Sequence, residues 1–442
     1  MTEYDYDVLY LGCGHGTFDG AIPLSQSGKK VAVIESGLIG GTCPNRGCNA
    51  KITLDTPVKL VRSKERLNGI VKGNWSLDWS QMVAQKQAVI DPLPDMIAGL
   101  LQGSGVTIIH GQGTLTDAHT INVGGQSVTA DKIVIATGLR PHKLSVPGTE
   151  LTHDSEDFMN LKALPKRLTI VGAGYIAMEF ATIANAAGAD VTVLMHGDQA
   201  LRQFHQPFVN AVIDDLTKRG VSFVKKAQVS AFAKNGNALT VSFGDGQSLT
   251  TDWILDATGR IPNVENIGLE KVGVKYSAHG IEVNDHLQTS VANIYASGDV
   301  IDKKQPKLTP TAIFESVYLM QLFSGQTNGP IDYPAIPSTV FTSPRIAKVG
   351  ESVESAQTTG DSVVVNHIAD DWYRQIDKQT LGDSKLVFNS QHQLVGATEM
   401  SEEADNAIDT LLPAIEFGLD ASQIGRIVNL FPSIASSAWE KL

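Results

Sequence analysis

The sequence has only three cysteines, Cys13, Cys43 and Cys48, among its 442 residues. So few thiols exclude a framework of structural disulfides. No apolar run approaches the roughly 20 residues that a membrane-spanning helix needs. Basic residues are also few, because 35 Lys and Arg stand against 47 Asp and Glu, for a formal net charge of −12. This balance argues against nucleic acid or an anionic membrane as a partner.

Length and glycine content indicate the general class of the fold. A chain of 442 residues is too long for one core and should divide into two to four lobes. The 41 glycines suit an α/β protein with many tight turns. The acidic start, residues 1–7, leads into a strand and does not resemble a secretory signal. We therefore expect a cytoplasmic protein.

The first candidate nucleotide-binding segment lies near the N-terminus. The apolar run 8–11 predicts a strand, and it is followed by Gly12, Gly14, Gly16 and Thr17. A strand, a glycine turn and a helix N-terminus allow backbone N–H groups to approach a pyrophosphate. Thr17 replaces the third glycine, which weakens the signal. The next strand, 31–35, ends in Glu35, where a carboxylate would bind a ribose hydroxyl.

Three further residues of this segment have local interpretations. Cys13 is interpreted as a small residue of the tight turn. His15 could face the flavin side of the site, but a capping or turn role is favoured. Pro23 falls inside the expected helix and should shorten or kink it.

A second nucleotide-binding segment is predicted in the middle of the chain. The apolar run 168–171 is followed by Gly172, Gly174 and Ala177, and a small residue such as Ala177 is permitted at the third position. The following strand, 191–195, does not end in a carboxylate. His196 and Arg202 would tolerate or attract a 2′-phosphate, so NADPH is favoured over NADH. The alternative is that both are surface residues and the selectivity is loose.

Cys43 and Cys48 form a Cys-x4-Cys pair at the start of a predicted helix. A close pair in a reducing compartment is typical of catalytic or metal-binding cysteines. A metal site would need further Cys or His ligands at short spacing, and none stands nearby. Redox chemistry is therefore favoured, with no metal.

These motifs, taken together, resemble the class I pyridine nucleotide-disulfide oxidoreductases, the family of glutathione reductase, dihydrolipoamide dehydrogenase and mercuric reductase. The resemblance covers nearly the whole chain. It implies two Rossmann-like domains, for FAD and NAD(P), and a C-terminal α+β dimerisation domain. The motifs stand in family order, at residues 40–51, 136–138, 172–179, 257–263, 295–299, 308–315 and 341–350.

The resemblance also implies roles for the residues around the dithiol. Cys48 would be the sulfur next to the flavin, and Cys43 the exposed thiol that attacks the acceptor. Lys51 and Glu179 would form an ion pair beside flavin N5. Tyr175 would cover the flavin until the nicotinamide displaces it. Electrons would pass from NAD(P)H through FAD to the Cys43–Cys48 disulfide and on to an acceptor.

For the cofactors, the resemblance implies that Glu35 binds the adenosine ribose of FAD, Asp299 its ribityl chain and Thr42 its pyrophosphate. All predicted cofactor-binding residues are Gly12, Gly14, Gly16, Thr17, Glu35, Thr42, Ala136, Thr137, Gly138, Gly172, Gly174, Tyr175, Ile176, His196, Arg202, Gly259, Arg260, Asp299, Thr309 and Ala312.

The sequence departs from the family pattern near the C-terminus. In the family, a histidine and a glutamate from the neighbouring subunit supply an acid/base dyad; here Phe431 and Ser436 stand in their places. A positioned general acid/base is typically worth about 10²–10⁴ in rate. Ile22 also replaces an arginine that holds glutathione. Both departures argue against ordinary glutathione reduction.

Three functions remain open. The first is a disulfide or thiol-linked reductase, for which acceptors with acidic leaving thiols would need little protonation. The second is a flavin-level reductase of quinones, oxygen or metal ions. The third is a non-catalytic NAD(P)H sensor. The ketopropyl-coenzyme M carboxylases share the phenylalanine, but this single aromatic does not justify inferring carboxylation.

The motif order predicts the domain organisation. Residues 1–150 would form the first part of the FAD domain, 151–263 the NAD(P) domain and 264–330 the second part of the FAD domain. Residues 331–442 would form the dimerisation domain, so a symmetric homodimer is expected. Pro413 should kink or break a helix over 401–417.

Overall fold

The computed structural model describes residues 4–442; residues 1–3, which begin the acidic N-terminal stretch, lie outside the described residues. The chain forms two compact units. The first comprises the chain up to Thr53 with residues 84–142 and 260–333, and the second comprises 54–83, 143–259 and 334–442. The predicted four-part division at residues 150, 263 and 330 stays a prediction.

The N-terminal part of the chain alternates strands and helices. Its strands are β1 (Tyr6–Leu11), β2 (Val31–Glu35), β3 (Thr107–His110), β4 (Gly113–Asp117), β5 (Thr120–Val123), β6 (Gln126–Ile135) and β7 (Leu139–Pro141). Its helices are α1 (Phe18–Gln26), α2 (Thr42–Arg46), α3 (Cys48–Arg66), α4 (Trp79–Ile90) and α5 (Leu93–Gly103). The predicted strands at 8–11 and 31–35 are confirmed. Helix α1 is only nine residues long and contains Pro23.

Residues 143–259 form two further sheets. The elements are α6 (Ser155–Met159), β8 (Arg167–Val171), α7 (Tyr175–Ala186), β9 (Asp190–Leu194), α8 (Gln206–Lys218), β10 (Ser222–Val224), β11 (Val229–Asn235), β12 (Ala238–Phe243), β13 (Gln247–Thr251) and β14 (Trp253–Asp256), with a 3₁₀ turn at Thr149–Leu151. One sheet is parallel, in the order β10-β9-β8-β14, and the other is the antiparallel sheet β11-β12-β13. The parallel sheet is the second Rossmann-like fold.

Residues 260–333 return to the first unit. They contain β15 (Arg260–Pro262), α9 (Leu269–Val272), β16 (Tyr276–Ser277), β17 (Gly280–Ile281), β18 (Ile294–Ala296), a 3₁₀ turn at Gly298–Val300 and α10 (Thr309–Phe323). Strand β18 pairs with β6 and completes a sheet of order β3-β2-β1-β6-β5-β4. Its central strands are parallel and buried. Their apolar runs are continuous because helices cover both faces of such a sheet.

The C-terminal residues form an antiparallel sheet with helices. The elements are β19 (Ser338–Val340), β20 (Arg345–Gly350), α11 (Val353–Thr359), β21 (Ser362–His367), α12 (Trp372–Gln375), β22 (Asp383–Phe388), β23 (Leu394–Ser401), α13 (Ala404–Glu416), α14 (Ala421–Ile424) and α15 (Ile434–Trp439), with a 3₁₀ turn at Ile368–Asp370. The sheet order is β19-β20-β23-β22-β21. Helix α13 continues through Pro413 without a break. Pro413 removes one N–H near the helix end, while the buried face that includes Ile408 and Leu411 still packs on the sheet.

Together these sheets confirm the predicted α/β class with two Rossmann-like folds and a C-terminal α+β domain. In the part of the chain that the structure describes, no helix is long and apolar enough to cross a membrane.

Candidate functional site

The turn after β1 is shaped for close approach of another backbone. Gly12 has φ of +103°, and a Cβ there would lie 2.4 Å from the carbonyl oxygen of Ala136. At the third-glycine position, Thr17 is fully buried, and its hydroxyl donates to the Gly12 carbonyl at 2.9 Å. Thr17 therefore closes the turn with a side-chain hydrogen bond. In the sequence, Thr17 was only a departure from the glycine motif, and this hydrogen bond was not predicted.

Glu35 ends β2 next to the same turn. One carboxylate oxygen accepts the Cys13 N–H at 2.8 Å, and the other accepts the Gly37 N–H at 2.7 Å. Each oxygen retains a lone pair for a further donor, such as a ribose hydroxyl. The carboxylate thus fixes the turn and remains able to bind a nucleotide.

A cavity of about 410 Å³ follows the carboxyl ends of these parallel strands. This edge of a doubly wound sheet is where dinucleotides bind. Predicted residues that line it are Gly12, Gly14, Glu35, Thr42, Ala136, Thr137 and Gly138. Residues that sequence reasoning missed are Arg46, Gly111, Gln112, Gly113, Arg140, Asn263 and Glu265, among others. Gly111–Gly113 follow β3, so the rule that sites lie at strand ends could have found them.

Two reciprocal hydrogen bonds support the far wall of the cavity. Thr137 donates its hydroxyl to the Asn263 carbonyl at 2.7 Å, and the Asn263 amide donates back to the Thr137 carbonyl at 2.7 Å. Arg140 forms a two-pronged ion pair with Glu265, with both contacts at 2.8 Å. Among the other predicted residues of this unit, Arg260 donates to the Leu139 carbonyl at 2.8 Å.

The turn that carries Asp299 is held from inside the protein. Glu315 is fully buried and accepts the Gly298 N–H at 2.7 Å, Lys303 Nζ at 2.6 Å and the Tyr333 hydroxyl at 2.7 Å. Burial raises the pKa of Glu315, and Lys303 opposes this shift. Nearby, the Ala312 Cβ lies 3.8 Å from where a Cβ of Gly298 would be.

These features fit FAD. The glycine turn offers close backbone approach to a pyrophosphate, Glu35 offers free lone pairs to a ribose, and the cavity lies at the strand ends. Gly16 also belongs to this turn, because its carbonyl accepts the Ser297 hydroxyl at 2.5 Å. Its contacts join the first turn to the segment that carries Asp299.

The dithiol follows directly. Cys43 lies in α2, Cys48 begins α3, and Gly47 stands between the helices. A Cβ on Gly47 would lie 3.0 Å from the Thr42 carbonyl oxygen and 3.1 Å from the Cys43 Cα, so glycine allows the two cysteines to approach. The thiols are free in this structure, and they lie within hydrogen-bonding reach of each other. The prediction that these cysteines form a redox-active pair stays a prediction.

The two thiols have opposite acidities. The Cys43 hydrogen bond, with smaller contributions from Thr309 and Lys51, lowers the pKa of Cys48 to about 6. The same hydrogen bond raises the pKa of Cys43, and burial adds to the shift. In the polypeptide alone Cys48 is exposed and Cys43 partly buried, the reverse of the expected order of exposure. The assignment of flavin-side and acceptor-side thiols stays a prediction.

The second nucleotide turn repeats the geometry of the first. Gly172 has φ of +118°, and a Cβ there would lie 2.3 Å from the Ala257 carbonyl oxygen. Gly174 is the N-cap of α7, and Ala177 is fully buried where this helix packs on the sheet. Gly259, with φ of +145°, belongs to the turn after β14.

Tyr175 and Glu179 lie one turn apart on α7. The Tyr175 ring packs edge-on against Phe204 with centroids 5.5 Å apart, and burial together with the Glu179 charge raises the pKa of Tyr175 to about 12. Glu179 is buried and accepts the Phe341 N–H at 3.0 Å. Ile176 is half-buried beside them. Lys51 belongs to the first unit, so its pairing with Glu179 stays a prediction.

Cationic side chains gather after β9. His196 and Arg202 are both exposed, and the Arg202 guanidinium lies 2.9 Å from where a Cβ of Gly197 would be, next to His196. Exposed Lys226, which the sequence prediction missed, donates its N–H to the Gly197 carbonyl at 2.9 Å. The turn therefore contains His196, meets the Arg202 guanidinium, and is bonded to the backbone of Lys226.

The C-terminal segment contains no imidazole–carboxylate dyad, since the sequence has no histidine after His392. Phe431 is 64% exposed and packs on Trp372 with ring centroids 5.6 Å apart. Ser436 is buried, and its N–H and hydroxyl form a capping box with Ser433 at the start of α15. Within residues 4–442, no three His, Cys, Asp or Glu side chains cluster as metal ligands.

Comparisons with known proteins agree with this architecture. Residues 6–316 match the family described as pyridine nucleotide-disulphide oxidoreductase, and residues 336–442 match its dimerisation domain. The chain therefore belongs to the class I pyridine nucleotide-disulfide oxidoreductases. These are flavoprotein enzymes that use FAD and NAD(P)H and act on sulfur groups.

Relatives with different substrates are similar to nearly the same degree. A glutathione reductase of Nostoc sp. is 32% identical over 98% of this chain and 98% of the relative. A mercuric reductase of Staphylococcus aureus is 31% identical over 94% of this chain and 78% of the relative. A dihydrolipoyl dehydrogenase of Geobacillus stearothermophilus is 31% identical over 98% of this chain and 95% of the relative. Similarity alone does not select an acceptor.

Proposed function

We propose that this enzyme is an NADPH-dependent disulfide reductase that uses the Cys43–Cys48 pair to reduce a disulfide or thiol-linked acceptor. The observation that carries the proposal is geometric: Gly47 allows Cys43 and Cys48 to approach each other, and the Thr309 hydroxyl lies 3.5 Å from Cys48 Sγ. This setting lowers the pKa of Cys48 to about 6, chiefly through the Cys43 thiol. A dithiol with one ready thiolate can attack a disulfide and then close on itself. A purely structural pair would gain nothing from this split in acidity.

FAD bound in the cavity of the first unit would supply the two-electron chemistry that links the nicotinamide to the dithiol. Gly12, Gly14 and Thr42 would hold its pyrophosphate, Glu35 its adenosine ribose and Asp299 its ribityl chain. Lys51 and Glu179 would supply charge beside the ring. Thr309, whose hydroxyl is 3.5 Å from Cys48 Sγ, would orient that sulfur.

The choice of NADPH rests on the basic turn after β9. His196, Arg202 and Lys226 are exposed residues that belong to or adjoin this turn, and no carboxylate ends the strand to repel a 2′-phosphate. An Arg or Lys contact to phosphate is a charge-assisted hydrogen bond, stronger than a neutral one. NADH has no 2′-phosphate and would not make this contact.

A symmetric homodimer is the assembly that we infer. Beyond the matched dimerisation domain, the C-terminal residues present large exposed apolar side chains, namely Trp372, Phe417, Val428, Leu430 and Phe431. An exposed apolar surface with side chains of this size is typical of an interface. A second copy of the chain would cover it. The three free thiols suit a reducing compartment such as the cytoplasm.

The test is anaerobic titration of the purified holoenzyme, with absorbance followed during reduction. The wild-type enzyme should take up two electrons at the dithiol before the flavin bleaches. Cys43→Ser should bleach at once and lose turnover with disulfide acceptors by about 10³-fold or more. Undiminished disulfide turnover by Cys43→Ser would refute the proposal, and FAD content shows whether the variant is folded.

The second candidate is direct reduction of a quinone, oxygen or a metal ion at the flavin. The absence of a C-terminal dyad and the exposed Phe431 favour it, because neither serves thiol chemistry. Rapid NADPH oxidation by Cys43→Ser with a quinone, together with poor disulfide turnover by the wild-type enzyme, would favour this candidate over the first.

A further inference from the structure

Phe431 stands where the family has a histidine. Thiol–disulfide exchange therefore lacks the expected proton donor. An imidazole paired with a carboxylate exists elsewhere, in the first unit. His15 Nδ1 lies 2.8 Å from Asp19 Oδ2, one helical turn apart, and the two side chains are 19% and 23% exposed. A general acid/base must be held in a fixed orientation and remain accessible to its reaction partner, and the His15–Asp19 pair meets both conditions.

The hydrogen bond to Asp19 determines which nitrogen can act. The carboxylate accepts the proton of Nδ1, so the neutral ring keeps its lone pair on Nε2. The Phe18 ring packs against the imidazole with centroids 4.5 Å apart and limits its rotation. In the described part of the chain, Nε2 makes no hydrogen bond of its own. A base with one nitrogen anchored and one available is the arrangement used in proton transfer.

A capping role does not account for these contacts. The N-cap of α1 is Thr17, and no side-chain hydrogen bond caps this helix. His15 makes its side-chain hydrogen bond to the Asp19 carboxylate and, among the described residues, none to a backbone N–H. The geometry gives no support for a capping role of His15, while His15 does lie in the turn before α1, as the alternative expectation had it.

The turn that carries His15 lies beside the loop that carries the dithiol. Gly14 precedes His15, and a Cβ on Gly41 would lie 2.9 Å from the Gly14 Cα. Cys43 follows Gly41 by two residues, a link that spans at most about 7 Å. One side of the His15 turn is thus in backbone contact with the start of the dithiol loop.

The other side of the turn leads to the second sulfur. Gly16 follows His15, and a Cβ on Gly298 would lie 3.5 Å from the Gly16 Cα and 3.8 Å from the Ala312 Cβ. Ala312 is one turn along α10 from Thr309, which contacts Cys48 Sγ at 3.5 Å. Both routes therefore place the turn that carries His15 next to the segments that meet the dithiol, within one unit.

We propose that His15, oriented by Asp19, is the acid/base residue of thiol–disulfide exchange in this enzyme and acts within its own subunit. The assignment rests on the proposed disulfide reductase function. His15 is the catalytic residue, because it would exchange protons with the reacting sulfurs. Asp19 is a positioning residue, because it acts through His15.

The proton balance assigns each step. His15 Nε2 takes the proton from Cys43, and the Cys43 thiolate attacks one sulfur of the acceptor. The acceptor S–S bond breaks, a Cys43 mixed disulfide forms, and the leaving thiolate takes the proton back from His15. Cys48 then attacks the Cys43 sulfur, which closes the Cys43–Cys48 disulfide and releases a second thiolate that takes a proton from solvent. One disulfide and one added proton give two thiols, and the dithiol loses two electrons.

The chain contains a matched control. His153 and Asp157 have the same spacing, with Nδ1 and Oδ2 3.2 Å apart, but the His153 ring stacks on Trp253 at 4.5 Å and the pair belongs to the second unit. Substitution of His153 removes an equivalent imidazole–carboxylate pair that does not belong to the unit of the dithiol. His153→Ala should therefore leave reoxidation by disulfides unchanged.

The experiment is anaerobic stopped-flow reoxidation of the two-electron-reduced holoenzyme by two acceptors. One is hydroxyethyl disulfide, with a basic leaving thiol, and the other is dithiobis(nitrobenzoate), with an acidic one. His15→Ala should slow the first reaction by about 10²–10⁴-fold and the second far less, because an acidic thiol leaves without a proton. Added imidazole should restore part of the first rate. Asp19→Asn should give the same selectivity with a smaller loss.

The outcomes separate this assignment from the function on which it rests. Wild-type reoxidation of the first acceptor by His15→Ala, or equal slowing with both acceptors and no response to imidazole, would overturn the role of His15 alone. Failure of the wild-type dithiol to react with either disulfide would overturn both proposals. The rate of flavin reduction by NADPH and the FAD content check that the variants are folded.

Discussion

Cys48 Sγ lies 3.5 Å from Thr309 Oγ1, and each of these residues is the first of a long helix. The N-termini of α3 and α10 therefore converge on one sulfur. Helix N-termini favour negative charge, and the Thr309 hydroxyl can donate a hydrogen bond to a thiolate. The convergence explains how a thiolate is stabilised without a partner imidazole from the C-terminal segment.

Removal of the Thr309 hydroxyl should weaken that thiolate. A hydrogen bond to a charged group contributes roughly 1.5 kcal/mol or more, so Thr309→Ala should raise the pKa of Cys48 by about one unit. Thr309→Ser keeps the hydroxyl and should behave like the wild-type enzyme. The measurement is the pH dependence of the long-wavelength absorbance of the thiolate beside the flavin in the two-electron-reduced enzyme. An unchanged midpoint in Thr309→Ala would contradict this role.

The acidity of Cys48 predicts a defined pH window in the wild-type enzyme. Its pKa is lowered to about 6, so the thiolate is present above that value and is lost as the pH falls through it. The long-wavelength absorbance of the reduced enzyme should therefore be constant from neutral to mildly alkaline pH and half lost near pH 6. A midpoint near the ordinary value of a free thiol would show that Cys43 does not hold the thiolate. Cys43→Ser, which changes the donor, provides the comparison.

The basic turn after β9 should determine the choice of nicotinamide. Arg202→Gln removes a charge-assisted partner of the 2′-phosphate, so the KM for NADPH should rise about 10–100-fold and that for NADH should change little. Arg167→Gln is the matched control, since Arg167 pairs with Asp252 at 2.5 Å at the start of β8. Steady-state kinetics with both donors test this. A parallel loss with NADH would indicate a structural role instead.

Lys303 should matter for stability and flavin retention. Its ammonium is 2.6 Å from Glu315, and the two side chains are 4% and 0% exposed. Lys303→Met leaves a buried carboxylate without its cation, which typically costs about 3–5 kcal/mol. Urea unfolding and FAD release on dilution measure the effect. Lys132→Met, at a more exposed pair with Asp131, should change the free energy of unfolding by less than about 1 kcal/mol.

The sequence predicted those parts of the fold that depend on local patterns. Strands β1, β2, β8 and β9 were predictable because their apolar runs are nearly continuous and glycine turns follow β1 and β8. The Cys-x4-Cys pair was also predictable from a local pattern, since its two cysteines are close together in the sequence. Helix α13 was predicted to kink or break at Pro413, and the break was wrong because packing of its buried face outweighs one lost hydrogen bond.

Other features of the site depend on residues that meet only after folding. Lys226 joins the basic turn because its N–H bonds the Gly197 carbonyl, and no spacing in the sequence announces that contact. Glu315 supports the Gly298 turn across 17 residues. The pairing of His15 with Asp19 has helical spacing, but its value is apparent only once the Gly14–Gly41 approach is known.

The contact between Gly41 and Gly14 has a consequence for the evolution of this scaffold. A single methyl group at Gly41 would collide with the Gly14 backbone, at 2.9 Å. The loop that leads to Cys43 is therefore in close backbone contact with the glycine turn after β1, and no side chain fits between them. Replacement of Gly41 would therefore disturb both the proposed FAD site and the proposed dithiol chemistry. An acceptor preference can drift through other surface loops while this junction stays fixed.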